Sequence, residues 1–169
     1  FITEEQWEKL IEGTGSRECL ILILGAAMGL RRAEIAKIKL TDINGNILTV
    51  HGKGHGDEGK VVQMEMTKPV VDAILEWMPL RMDFLRRFGD NSDGYLLINQ
   101  WRGKGTPMTP GGVGDVVRKL GRERGIDLTA HSLRRLFANM VNESCVDSDT
   151  LRRLMRHVSV QTTFSCYLN

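Results

Sequence analysis

A mainly α-helical domain carrying one small antiparallel sheet, an α+β arrangement, is the fold class this 169-residue sequence predicts. Three observations carry that reading. Apolar residues recur at helical spacing through most of the chain. The spacing switches to that of strands at residues 47–50 and 61–64, on either side of a glycine-rich connection. No internal repeat or low-complexity tract divides the chain, and its length suits one domain with a sizeable core.

The elements follow in order. Thr3, with Glu4, Glu5 and Gln6 behind it, marks a helix start with acids in the first turn. A second helix is expected over 17–28. It is apolar almost all round, from Cys19 through Leu24, so it should be central and buried. Gly29 suits its C-terminal end. A third, short helix begins near Arg31 and carries Glu34, Ile35 and Ile38. The strands at 47–50 and 61–64 flank a hairpin loop, His51-Gly-Lys-Gly-His-Gly-Asp-Glu-Gly59. Residues 68–87 return to helical spacing with an interruption expected near Pro79, and 95–98 form a short apolar segment read as an edge strand. After a loop over 99–110, helices are expected at 111–124, 131–143, 148–156 and 160–167, with Asp147 or Ser148 capping the third of these.

Composition narrows the function classes. The longest apolar run, Leu20 to Met28, falls well short of the roughly 18 residues a spanning helix needs. Cys19, Cys145 and Cys166 lack metal-ligand spacing and read as reduced thiols of a cytoplasmic protein. His51, His55 and Asp57 sit in a glycine-rich loop too pliant to be a metal cage, so neither a metal site nor a cofactor is expected. Net charge is only +2, but it is unevenly spread. Residues 1–100 hold 12 basic and 15 acidic side chains, whereas residues 101–169 hold 11 and 6. The basic part points to a polyanionic partner.

That same part holds His131-Ser132-Leu133-Arg134, then His157, then Tyr167. On a helix, positions 131 and 134 share a face, which offers an imidazole beside a permanent guanidinium. These groups suit the holding of a phosphodiester while a tyrosine oxygen attacks it. A phenol has a pKa of about 10 and needs help to act as a nucleophile. Bidentate guanidinium groups can stabilise the charge that builds on the non-bridging oxygens. A lysine or histidine can give the leaving sugar oxygen its proton. Two further cations fit. Arg31 follows Gly29-Leu30, with Glu34 one turn on to orient it, and Lys53 stands in Gly52-Lys53-Gly54 just after a strand. Lys60, across the hairpin, competes with Lys53, and Arg32 competes with Arg31.

Gly29-Leu30-Arg31-Arg32-Ala33-Glu34-Ile35 resembles the first arginine motif of the tyrosine recombinases, the phage-integrase family. His51-Gly52-Lys53-Gly54 resembles their hairpin lysine, and Thr129-Ala130-His131-Ser132-Leu133-Arg134-Arg135 their His-x-x-Arg box. Leu154-Met155-Arg156-His157, followed by Thr162-Thr163 and Tyr167, resembles their second histidine and nucleophile. Arg156 stands where the family usually has glycine, and the interval from His157 to Tyr167 is one residue longer than the commonest one.

The resemblance implies the catalytic-domain fold of DNA breaking-rejoining enzymes and a role for each residue. Tyr167 would attack the scissile phosphate to form a 3′-phosphotyrosyl link, and Arg31 and Arg134 would clamp its non-bridging oxygens. Lys53 would protonate the leaving 5′-oxygen. His131 would assist proton transfer at the tyrosine, His157 would hydrogen-bond the phosphate, and Glu34 would support the arginines from behind. Arg32, Arg135 and Arg156 would contact DNA. The implied activity is site-specific recombination of double-stranded DNA by a bacterial or phage-encoded, nucleoid-associated cytoplasmic protein. It would be a monomer alone in solution and would assemble into a tetrameric synapse on DNA. Residues 1–169 would form one catalytic domain, with the family's N-terminal core-binding domain outside this sequence. A type IB topoisomerase and a catalytically inactive DNA-binding module of the same fold are the alternatives.

Overall fold

The computed structural model describes residues 2–52 and 60–143. The expected helices at 148–156 and 160–167, with their cap at Asp147 or Ser148, lie outside the described residues. Helix α1 (Glu4–Ile11) starts at a reciprocal cap: Thr3 Oγ1 accepts the Gln6 N–H, and Gln6 Oε1 accepts the Thr3 N–H. Helix α2 (Ser16–Met28) is the expected central element, with Leu20, Leu22 and Leu24 fully shielded from solvent. Helices α4 (Lys68–Phe88), α5 (Pro110–Glu123) and α6 (Ala130–Glu143) pack around it.

The short helix α3 covers Arg32–Ala36. Ile38, expected within it, lies past its end yet is buried. The sheet has three strands rather than two, in the order β1 (Ile43–Asn44), β2 (Ile47–His51), β3 (Val61–Glu65), all antiparallel. Its register sets Leu48 opposite Met64 and His51 opposite Val61. Leu48 and Val50 point into the core while their neighbours along β2 are only half-buried, the alternation a one-sided sheet requires. The two-residue strand β1 was too short to show a period.

Two expectations are corrected. Helix α4 runs through Pro79 without interruption. Pro79 lies on the solvent face, and so does Leu75, whose carbonyl loses its helical partner and stays open to water. Trp77 and Arg81, buried on either side of Pro79, hold the helix to the core. Residues 95–98 are not a strand but form isolated bridges, Tyr95 with Lys39 and Ile98 with Pro107. Leu96, Leu97 and Ile98 are all buried, so the two-sided alternation of an edge strand is missing. Side chains satisfy the carbonyls instead: Trp77 Nε1 donates to Leu96 O (2.9 Å) and Arg17 Nη1 to Ile98 O (2.8 Å).

Arg81 anchors the start of this segment from inside the core, at only 4% exposure. It donates to Tyr95 O from Nε (3.1 Å) and Nη2 (2.7 Å), and to Ser92 Oγ from Nη2 (2.9 Å). Burial pulls its pKa below the usual arginine value, opposed by the Asp90 carboxylate. Ser92 in turn donates to Asp90 Oδ1 from its hydroxyl and its N–H, which holds the Asp90 carboxyl below its ordinary pKa. Arg81→Met keeps most of the volume but strips the Tyr95 carbonyl of both its side-chain donors and takes one donor from the buried Ser92 hydroxyl. It should therefore lower unfolding stability by roughly 2–4 kcal/mol in denaturant titration. A loss below about 1 kcal/mol would mean that water replaces the guanidinium.

Candidate active site

The site begins at two glycines of α2. A Cβ on Gly25 would lie 3.0 Å from Leu133 of α6, and one on Gly29 would overlap the Phe137 ring. Gly29 also closes α2 in the left-handed region, at φ 67°, with its N–H bonded to Gly25 O. Helices α2 and α6 can thus approach closely, which brings the turn carrying Arg31 next to the helix carrying Arg134.

Each residue of His131-Ser132-Leu133-Arg134 has a separate task. Ser132 caps its own helix: its Oγ accepts the Thr129 N–H while its N–H donates to Thr129 Oγ1, both at 3.1 Å. Leu133 is buried against Gly25. His131 and Arg134 are left on the outer side, His131 exposed and Arg134 half-buried. The cap and the glycine packing were not recognised in the sequence, although Thr129 and Ser132, three residues apart, form a capping signal.

Glu34 ties the segments together. Its Oε1 accepts the Arg31 backbone N–H (2.8 Å) and lies 4.0 Å from Arg134 Nη1. Its Oε2 would be 3.5 Å from a Cβ on Gly52 at the root of the hairpin. Gly52 also donates its N–H to Lys60 O (2.8 Å), and the same Cβ would be 3.2 Å from that oxygen. On the other side of β2, His51 Nε2 meets Asp42 Oδ1 at 2.9 Å, while Asp42 Oδ2 accepts the Lys39 N–H. The hairpin root is therefore pinned on both sides of the point where the chain departs toward Lys53.

Arg31, Glu34, Gly52, Lys60, Arg134 and Phe137 share one open concavity of about 310 Å³. It contains three cations and one carboxylate, and that carboxylate is already engaged by the Arg31 backbone N–H and by the Arg134 guanidinium. A tetrahedral anion has matching donors there. Arg32 and Arg135 face elsewhere. The Arg32 Nη1 lies over α5, 3.2 Å from where a Gly114 Cβ would be, and Arg135 lines a separate hollow with Gln6 and Asn139. Lys53, Arg156, His157 and Tyr167 lie outside the described residues. Cys19, the one free cysteine among the described residues, has its thiol pKa raised by burial and then by the Glu76 and Glu18 carboxylates, which makes it a poor nucleophile.

The Phage integrase family model matches residues 1–169. The chain belongs to that family. It is 33% identical over 167 residues to the tyrosine recombinase XerA of Pyrococcus furiosus, covering 96% of this chain and 54% of that protein. It is 31% identical over 175 residues to XerC of Staphylococcus epidermidis, covering 96% and 55%. The chain thus spans about half the length of the curated relatives it matches. Among solved structures, a XerA recombinase crystal structure superposes with a TM-score of 0.70 at 25% identity, covering all of this chain and 58% of that one. A lambda integrase dimer bound to a COC' core site shares the fold, with a TM-score of 0.54 at 19% identity and coverage of 99% and 58%. The fold of this integrase-family chain is that of the tyrosine recombinase catalytic domains, mainly helical with a three-stranded antiparallel sheet. No helix among the described residues is long and apolar enough to cross a membrane.

Proposed function

We propose that this chain is the catalytic domain of a site-specific DNA recombinase that cleaves and rejoins double-stranded DNA through a 3′-phosphotyrosyl intermediate. The observation that carries the reading is the Glu34 bridge, which holds Arg31 and Arg134 on one concavity beside the root of the hairpin that bears Lys53. Charge that builds on the non-bridging oxygens of a phosphodiester in that hollow would meet the guanidinium groups of Arg31 and Arg134. Tyr167 supplies the attacking oxygen, and its proton leaves with the help of His131. Lys53 returns a proton to the departing 5′-oxygen, and His157 hydrogen-bonds the phosphate. Rejoining reverses these steps, with the 5′-hydroxyl attacking the phosphotyrosine and tyrosine leaving. The lambda integrase named above was solved on a DNA core site, which supports duplex DNA as the substrate here.

In this reading Arg32, Arg135 and Arg156 grip the duplex outside the reacting centre, and four copies assemble into a synapse on DNA from monomers in solution. The protein works in the cytoplasm at the nucleoid. Residues 1–169 form one catalytic domain in this reading, and the family's N-terminal core-binding domain would lie outside them.

The test is trapping on a nicked suicide substrate, from which the cleaved fragment diffuses away. The chain should accumulate a covalent protein–DNA adduct, and chelators should not prevent it, because organic cations hold the phosphate. Failure to form an adduct would leave a DNA-binding module. Cleavage that is lost in EDTA and restored by magnesium would replace the mechanism with that of a metal nuclease. Relaxation of supercoiled DNA by single protomers, without strand exchange between sites, would favour a topoisomerase.

A further inference from the structure

The loop between Asn99 and Thr109 has no part in the site described above, yet it is built to present its tip. Its base is fixed. Asn99 donates its N–H to Thr106 O (2.7 Å) and its side-chain amide to Pro107 O (3.1 Å), and Gly105 returns an N–H to Asn99 O (2.9 Å). Gly105, at φ 61°, lies so close to α4 that a Cβ there would be 3.0 Å from Leu85 and 3.2 Å from Gly89 O. The tip by contrast stands in solvent. Trp101 is 69% exposed, an unusual position for so large an apolar side chain. The Arg102 guanidinium lies over its ring, 4.3 Å from the centroid. Arg102 itself is left-handed, at φ 53° and ψ 29°, a conformation that disfavours a non-glycine residue although Gly103 is its neighbour. Lys104 is also exposed, and residues 99–110 contain no acid. No ion pair among the described residues engages either cation. The loop runs directly into the Thr109 cap of α5, the helix over which Arg32 is folded.

We propose that this tip is a second contact with the DNA backbone, outside the cavity, in which Arg102, held over the Trp101 ring, and Lys104 each meet a phosphate. Stacking removes much of the freedom an arginine loses on binding and keeps its donors turned outward. The inference rests on duplex DNA being the substrate.

The experiment is salt-dependent binding of the full chain to a short mixed-sequence duplex, since phosphate contacts do not read sequence. Arg102→Gly is the informative variant, because glycine suits that backbone and the fold is not threatened. It should bind about eightfold more weakly at ~0.1 M salt and flatten the slope of log K against log salt by about 0.9. Lys104→Ala should do the same. Arg102→Lys should keep the slope, and Trp101→Leu should weaken binding about two- to fivefold with little change of slope. Arg102→Gly and Lys104→Ala both binding like the parent, with the parent slope, would overturn the inference while leaving the adduct chemistry untouched. A parent chain without salt-dependent DNA binding would overturn both this contact and the recombinase reading.

Discussion

Arg31→Ala and Arg134→Ala should each slow DNA cleavage by about 10²–10³, the usual cost of removing one preorganised donor from a developing oxyanion. The two variants differ in what else they disturb. The 2.8 Å bond between Arg31 and Glu34 is made by the backbone N–H, so it survives loss of the Arg31 side chain. On the proposed mechanism Arg31→Ala therefore removes a phosphate ligand and little more, and thermal unfolding should scarcely change. Arg134→Ala also takes away the cation beside the largely shielded Glu34 carboxylate. That carboxylate then faces the incoming phosphate unneutralised, so Arg134→Ala should be the more damaging of the two. Combining it with Glu34→Gln should recover part of the loss. Arg134→Lys should rank between parent and alanine, because it keeps the charge and loses the fork. Near-normal single-turnover cleavage by either alanine variant would remove that residue from the phosphate clamp.

Lys53→Ala should be as severe on an ordinary phosphodiester, for a different reason. Without an acid, the 5′-oxygen must leave as an alkoxide. A substrate with sulfur at the 5′-bridging position has a better leaving group and hardly needs that proton. It should restore cleavage in Lys53→Ala but not in Arg31→Ala, whose defect lies at the non-bridging oxygens. Lys60 makes the comparison sharper, since it lines the concavity and its backbone oxygen holds the hairpin root through Gly52. Sulfur rescue of Lys60→Ala in place of Lys53→Ala would move the acid across the hairpin. Equal rescue of the lysine and arginine variants would leave no specific acid at either position.

The central helix and the pairing of β2 with β3 were legible because each rests on local chemistry. The apolar run of α2, interrupted only by Gly25, has no soluble alternative to burial. The β-branched and apolar residues at 47–50 and 61–64 flank a glycine-rich stretch, the sequence pattern of a hairpin, and Arg31 with Glu34 follows a glycine stop. What escaped depends on partners far away in sequence. Residues 95–98 look like a strand until Trp77 and Arg17 are seen to take carbonyls that a neighbouring strand would otherwise need. Pro79 looks like a break until its face is known to be the wet one. The closeness of Arg31 and Arg134 is set by Gly25 and Gly29 meeting Leu133 and Phe137, a fit that no periodicity announces. The divergence of Arg135 from Arg134, in contrast, follows from the roughly 100° turn between adjacent helical residues and could have been read at the outset.

The measurement that bears most directly on the covalent mechanism is the identity of the residue joined to DNA. The adduct trapped on the nicked substrate is digested with protease, and the peptide retaining the nucleotide is sequenced by mass spectrometry. The account predicts a single 3′-phosphate ester on Tyr167. It also predicts that Tyr167→Phe, which lacks one hydroxyl, forms no adduct while binding the same duplex as the parent does. A link to Cys166 or to Tyr95, or an adduct that persists in Tyr167→Phe, would contradict it.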